Sequence, residues 1–200
     1  MKKIISLLLV LSALVLALPS CGGEKLTEDQ VIEIVGPLVQ KSYEINDIFF
    51  GAGLPHEEYT EAVDDTVYDV PPVNYVPVIS EKYKSVSDLK DAAREVYTES
   101  YLEGVFDLTF NGMSDGNGNI IQYARYFENF TDNLKIRADV EKDNIVTGRK
   151  YDVTTLKITD QESGYIFFTL ESFIDGEPAG TIDLSIKDEG AGWRLDSPTY

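Results

Sequence analysis

The chain has 200 residues, a formal net charge of −18, a single cysteine and a single histidine. That length is one domain's worth, and 43% hydrophobic with 11% aromatic residues suffices for a core. The acid excess excludes a nucleic-acid reader, because phosphate neutralisation needs clustered Lys and Arg.

Lys2 and Lys3 open the chain, and residues 4–18 form an apolar run broken only by Ser6 and Ser12. A short positive start, a short apolar stretch and small residues are the pattern of a secretory signal. The run falls short of the ~18 residues or more that a spanning helix needs. It ends in LPSC, Leu18 to Cys21. This ending resembles the bacterial lipobox; Leu18, Ser20 and Cys21 match it, and Pro19 departs from it. The resemblance implies cleavage before Cys21, a diacylglyceryl group on its thiol and an anchor on the extracytoplasmic face of the cell membrane. Two or more acyl chains would hold it there stably. The alternative, an ordinary signal with a cysteine near the cut, leaves an odd free thiol.

Residues 1–20 then read as a lipoprotein signal peptide, 21–26 as the lipidated Cys21 with a short tether, and 27–200 as one domain. Loss of Lys2 and Lys3 leaves the mature chain at −20. Such charge keeps a domain soluble and monomeric, and a cationic partner is its sharper reading. No cysteine pair remains, so the core holds the fold without disulfides in a compartment that permits them.

Thr27 and Gln30 have capping-box spacing, and Val31, Ile34, Val35, Leu38, Ile45 and Phe49 follow at helical spacing. Gly36-Pro37 predicts a kink or a break inside that helix, which ends before GAGLP at 51–55. The stretch 56–80 is irregular, with a short edge strand at 74–79 containing Pro77. A second helical region starts from Ser87 as N-cap and continues to Phe110, with a bend near 98–100. SDGNGN at 114–119 is a turn cluster. Strand composition follows at 120–127, 134–141, 150–159, 165–173, 180–187 and 192–195. The turns between fall at Asp143-Asn144, Glu162-Ser163-Gly164, Asp175-Gly176 and Glu189-Gly190. Helices first and a meander second predict an α+β fold, with N-terminal helices packed on a curved antiparallel sheet.

Little in the chain carries chemistry. A Ser-His-Asp or Cys-His arrangement would need His56, which sits in a loop beside Pro55, Glu57 and Glu58. A zinc site would have to rest on carboxylates. Asp115 to Asn119 has the first half of a calcium loop, but Ile120 and Tyr126 stand where that loop needs Gly and Glu. No enzyme activity, metal or cofactor is expected. One stretch stands out by density: Glu57, Glu58, Tyr59, Glu61, Asp64, Asp65, Tyr68 and Asp69. Acids interleaved with tyrosines read as a partner-docking surface, against a solvated loop whose tyrosines close the core edge. Tyr123, Tyr126, Phe127, Tyr165, Phe167 and Phe168 read either as the lining of a small-ligand cup or as core.

NYVPVISEKYKSVSDLK at 74–90, the tyrosine-bearing helix after it and the closing GWRLDSPTY together resemble the IseA-type inhibitors of bacterial D,L-endopeptidases and related NTF2-like lipoproteins. The last-strand pattern is also similar to cystatin-like sheets. The resemblance spans 27–200. It implies helices cupped by a curved sheet, and a protein that binds and blocks NlpC-type cell-wall hydrolases. The expected partners are the membrane, through the lipid on Cys21, and a cell-wall endopeptidase or other surface protein. A small-ligand binder and an envelope-maintenance lipoprotein without a discrete site are the other readings.

Overall fold

A computed structural model describes residues 25–58, 75–128, 133–138 and 148–200. The signal segment, Cys21, the turn at Asp143-Asn144, and Tyr59, Asp64, Asp65, Tyr68 and Asp69 lie outside the described residues.

Helix α1 is Glu28–Phe50, capped by the expected box. Gln30 N–H donates to Thr27 Oγ1 at 3.4 Å, and Thr27 N–H donates to Gln30 Oε1 at 2.9 Å. Its buried stripe includes Val31, Val35, Leu38, Val39, Ile45, Ile48 and Phe49. The helix runs unbroken through Pro37, so of the expected kink or break the break does not occur. Pro37 is exposed, and a Cβ on Gly36 would meet nothing within 4 Å. Water can therefore satisfy the carbonyl that loses its bond, while the apolar stripe on both sides keeps the helix packed.

Strand β1, Tyr75–Pro77, lies at a sheet edge, which spares Pro77 a ladder donor. Helix α2 is Val86–Arg94, capped by Ser85 rather than Ser87. The reason is Asp88: it accepts from Ser85 N–H at 2.9 Å while Ser85 Oγ accepts from Asp88 N–H at 3.1 Å. The expected bend is a full interruption. Leu195 N–H donates to the Val96 carbonyl at 2.8 Å, and Thr98 N–H to the Leu195 carbonyl at 2.9 Å. Strand pairing with the last strand thus stops the helix, and Thr98 caps a new one, α3, Glu99–Phe106. A wider π-helical turn, Asp107–Asn111, ends it at Gly112.

The strands do not form one meander. β2 (Met113–Ser114) and β3 (Ile120–Gln122) make a separate hairpin. β4 (Tyr126–Glu128) and β5 (Leu134–Arg137) join β1 in a sheet ordered β1-β5-β4. The meander proper is β6 (Arg149–Glu162), β7 (Tyr165–Ile174), β8 (Glu177–Asp188) and β9 (Trp193–Leu195), antiparallel throughout. Two register shifts interrupt β6 against β7; bulges of this kind bend a strand and raise its twist. The fold is α+β, with α1 packed on the meander.

One core joins the layers. Leu156, Ile166, Phe168, Leu170, Leu184, Ile186 and Leu195 face α1, and Tyr97, Leu102, Tyr126 and Ile136 extend the core to the smaller sheet. Each fully buried side chain of this size contributes about 1.5–3 kcal/mol. The free edge of β6 is partly closed by α1. Tyr151 N–H donates to Tyr43 Oη at 3.0 Å and Ile158 N–H to Glu28 Oε1 at 3.4 Å. Covering such donors blunts edge-to-edge association. The C-terminal segment returns across α1. Thr199 Oγ1 sits 2.8 Å from Asn46 Nδ2, 2.7 Å from Tyr97 Oη and 2.8 Å from Ser42 Oγ, all four side chains buried.

Candidate functional site

The chain enters the domain at the N-terminus of α1. Gln161, near the end of β6, holds both backbone groups of Leu26: its Oε1 accepts from Leu26 N–H at 2.9 Å and its Nε2 donates to the Leu26 carbonyl at 2.8 Å. A helix of 23 residues carries the chain about 34 Å from that point. The far end of α1 is where irregular structure collects.

No basic residue stands in the last turn of α1. Arg125, from the loop before β4, takes that place. Its guanidinium donates to the Ile48 carbonyl at 3.1 Å and to the Gly51 carbonyl at 2.5 Å, satisfying orphan acceptors where the helix dipole is negative. Tyr126, fully buried, donates to the Ile48 carbonyl and accepts from Leu54 N–H, each at 3.0 Å. Burial pushes its phenol up to about 12, against the pull of the Leu54 N–H. Gly53 has φ +81°, and a Cβ there would strike Ile136 Cδ1, so glycine is required where loop and sheet approach. Residues 51–54 are therefore clamped.

The clamp positions the next segment. Ile79 N–H donates to the Pro55 carbonyl at 2.7 Å and Glu57 N–H to the Pro77 carbonyl at 3.0 Å. His56 pairs with Val78 across an isolated bridge, and its Nδ1–H donates to the Glu57 carbonyl at 2.8 Å. Its imidazole thus serves local backbone. Glu57 and Glu58, the two predicted docking residues that are described, emerge exposed beside this bridge.

Around the same end of α1 stand large apolar side chains in water. Ile79 is 59% exposed, Ile120 56%, Ile121 64%, Met113 49% and Phe127 43%. These are five of the seven exposed large hydrophobics among the described residues. Three sit on the β2–β3 hairpin, which has no further strand beside it among the described residues. Its tip is held by Asp115. Asp115 Oδ1 accepts from Asn117 N–H and Asn119 N–H, both at 2.8 Å, and Oδ2 from the Asn119 amide at 2.7 Å. The Asn119 side chain leads the bonds that hold the Asp115 carboxyl below its usual range. These bonds close DGNGN on itself as a turn. No group of three or more His, Cys, Asp or Glu able to hold a metal occurs among the described residues.

The six aromatics read as a possible cup are distributed differently. Tyr123 is half-buried in the segment between β3 and β4, Tyr126 and Phe168 are core, Phe127 lies on the smaller sheet, and Tyr165 and Phe167 stand on the face of the meander away from α1. They therefore lie on different elements and faces. An open, shallow groove on α3 is bordered by Glu99, Ser100, Glu103, Phe106 and Asp107. The hairpin apolars escaped the sequence reading because Ile120 and Ile121 look like the start of a core strand. The missed signal is adjacency: two isoleucines in succession point to opposite faces, and a two-stranded hairpin cannot bury both.

No protein family matches the chain, and a comparison with curated proteins finds no match.

Proposed function

We propose that the chain is a lipid-anchored extracytoplasmic binding protein that acts by docking rather than by chemistry. The observation carrying this reading is polarity: the chain enters at one end of α1, and the elements that carry exposed Ile79, Met113, Ile120, Ile121 and Phe127 are tied to the other. With Cys21 acylated, the five residues 21–25 reach at most about 18 Å. The domain then stands close to the bilayer and offers its apolar rim away from it. Exposed apolar side chains rimmed by polar ones, here Glu57, Glu58 and Asp115, suit a protein interface. The long helix on an antiparallel meander supports an NTF2-like or cystatin-like assignment, and with it the inhibitor reading: the partner is an NlpC-type cell-wall endopeptidase.

The test is a digestion assay. The full chain in neutral detergent is titrated into peptidoglycan cleavage by such an endopeptidase. Stoichiometric, dose-dependent loss of cleavage supports the reading, and unaltered cleavage at tens of micromolar removes the inhibitor.

A further inference from the structure

The open face of the meander carries an aromatic platform. Tyr165 and Phe167, two apart on β7, share that face; their ring planes lie 10° apart and their centroids 6.1 Å apart. Phe167 is 37% exposed although its strand neighbours Ile166 and Phe168 are in the core. Carboxylates flank the pair by register. Glu162 stands across β6 from Tyr165, and Asp160 across from Phe167. On β8, Asp183 stands across from Thr169, next along the same face, and Glu171 follows on β7 itself. Cross-strand partners are about 4.5–5.5 Å apart at Cβ. Ser185, opposite Phe167 on β8, is covered, with its N–H bound to Ser197 Oγ at 2.9 Å. The platform therefore opens toward Asp160 and Glu162.

Cations on this face are few and occupied. Lys157 is paired with Glu28 at 3.0 Å, and Lys187 Nζ lies 5.4 Å over the Tyr165 ring. Some half-buried rings elsewhere have cations supplied internally: Lys90 and Arg94 lie 5.4 and 5.5 Å over Phe106, and Lys150 lies 3.7 Å over Tyr43. Among the described residues no cation lies over Phe167, and Asp160, Glu162, Glu171 and Asp183 enter no ion pair. Asp160 Oδ1 accepts from Gln161 N–H at 2.7 Å, yet its charge has no counter-ion among the described residues; a ring face with negative quadrupole next to carboxylates free of ion pairs is complementary to one kind of group, a guanidinium or ammonium.

We propose that this face is a docking site for a basic, extended segment of a partner protein. One Arg or Lys of that segment lies on Phe167 and meets Asp160, and a second meets Glu171 and Asp183. The site is separate from the apolar rim at the end of α1 and does not depend on it. It gives the chain's acid excess a specific use, because long-range attraction steers a basic partner and the platform selects its contact.

The test uses the full chain in neutral detergent and a hexapeptide of Arg alternating with Ser as probe, titrated at two salt concentrations. Phe167→Ala is expected to weaken binding about 2- to 5-fold. Phe167→Ala/Asp160→Asn/Asp183→Asn is expected to weaken it about tenfold or more. A control, Glu103→Gln/Glu177→Gln, removes the same two charges from other surfaces and is expected to keep most of the affinity. Far-UV dichroism shows whether each variant is folded. Equal losses in the triple variant and the control would mean that net charge alone attracts the peptide, which overturns the proposal. So would an unchanged affinity in Phe167→Ala.

Discussion

Thr199 is the keystone of the buried polar cluster between α1 and the returning C-terminus, and Thr199→Val tests how much that cluster contributes. The substitution keeps the side-chain shape and removes the hydroxyl. Ser42 keeps its bond to the Val39 carbonyl at 2.8 Å, and Tyr97 Oη keeps Asn46 Oδ1 at 2.7 Å. Asn46 Nδ2 loses Thr199 Oγ1, and Asn46 is only 3% exposed. One buried donor left without a partner costs about 1–3 kcal/mol. At about 2–4 °C per kcal/mol for a domain of this size, that lowers the melting midpoint by roughly 2–12 °C. Urea unfolding followed through Trp193, the only tryptophan, should show a lower midpoint with an unchanged slope. Tyr97→Phe orphans Asn46 Oδ1 in the same cluster, so the double variant should cost less than the sum of the two singles. A Thr199→Val protein within about 0.5 kcal/mol of the parent, inside the range of an ordinary surface change, would refute the reasoning.

Gly112 has φ +74° and ψ −166°, and a Cβ there would run into the Gln122 carbonyl; Gly112→Ala should destabilise by about 1–3 kcal/mol, measured by urea titration, and limited proteolysis should then cut the β2–β3 hairpin first. Burial pushes the Tyr97, Tyr126 and Tyr151 phenols up to about 12, against about 10 when unfolded. Their contribution is therefore complete below about pH 10 and is lost as pH rises through about 12. Phenolate absorbance should show these tyrosines ionising only together with unfolding; full ionisation near pH 10 in a folded chain would contradict the burial. Cys21→Ser should move the protein from the detergent phase to the aqueous phase in a temperature-driven detergent separation, and persistence in the detergent phase would rule out the lipid anchor.

Residues with one local solution were legible in the sequence. Thr27 and Gln30 cap α1, Pro77 falls at an edge, and Asp175-Gly176 and Ser163-Gly164 turn the meander as their chemistry demands. What escaped depends on long-range pairing. The α2–α3 interruption is imposed by Leu195, about a hundred residues on, and no residue near Tyr97 announces it. Residues 120–127 read as one strand because their composition is uniform. The Arg125 side chain divides them by reaching back to the end of α1. Glu57 and Glu58 were visible as acids in a loop, whereas the Ile79, Met113, Ile120, Ile121 and Phe127 rim beside them required the tertiary fold. The same holds for the Phe167 platform, whose acid neighbours come from register.

The most direct measurement is calorimetric titration of the full chain against an NlpC-type endopeptidase, run with the parent and with Ile120→Asp/Ile121→Asp. The hairpin apolars are exposed, so the variant should fold, and dichroism verifies that it does. Saturable one-to-one binding by the parent, weakened at least tenfold in the variant, is the predicted result. Equal binding by both proteins would take the rim out of the account, and no binding by the parent would contradict the proposed partner.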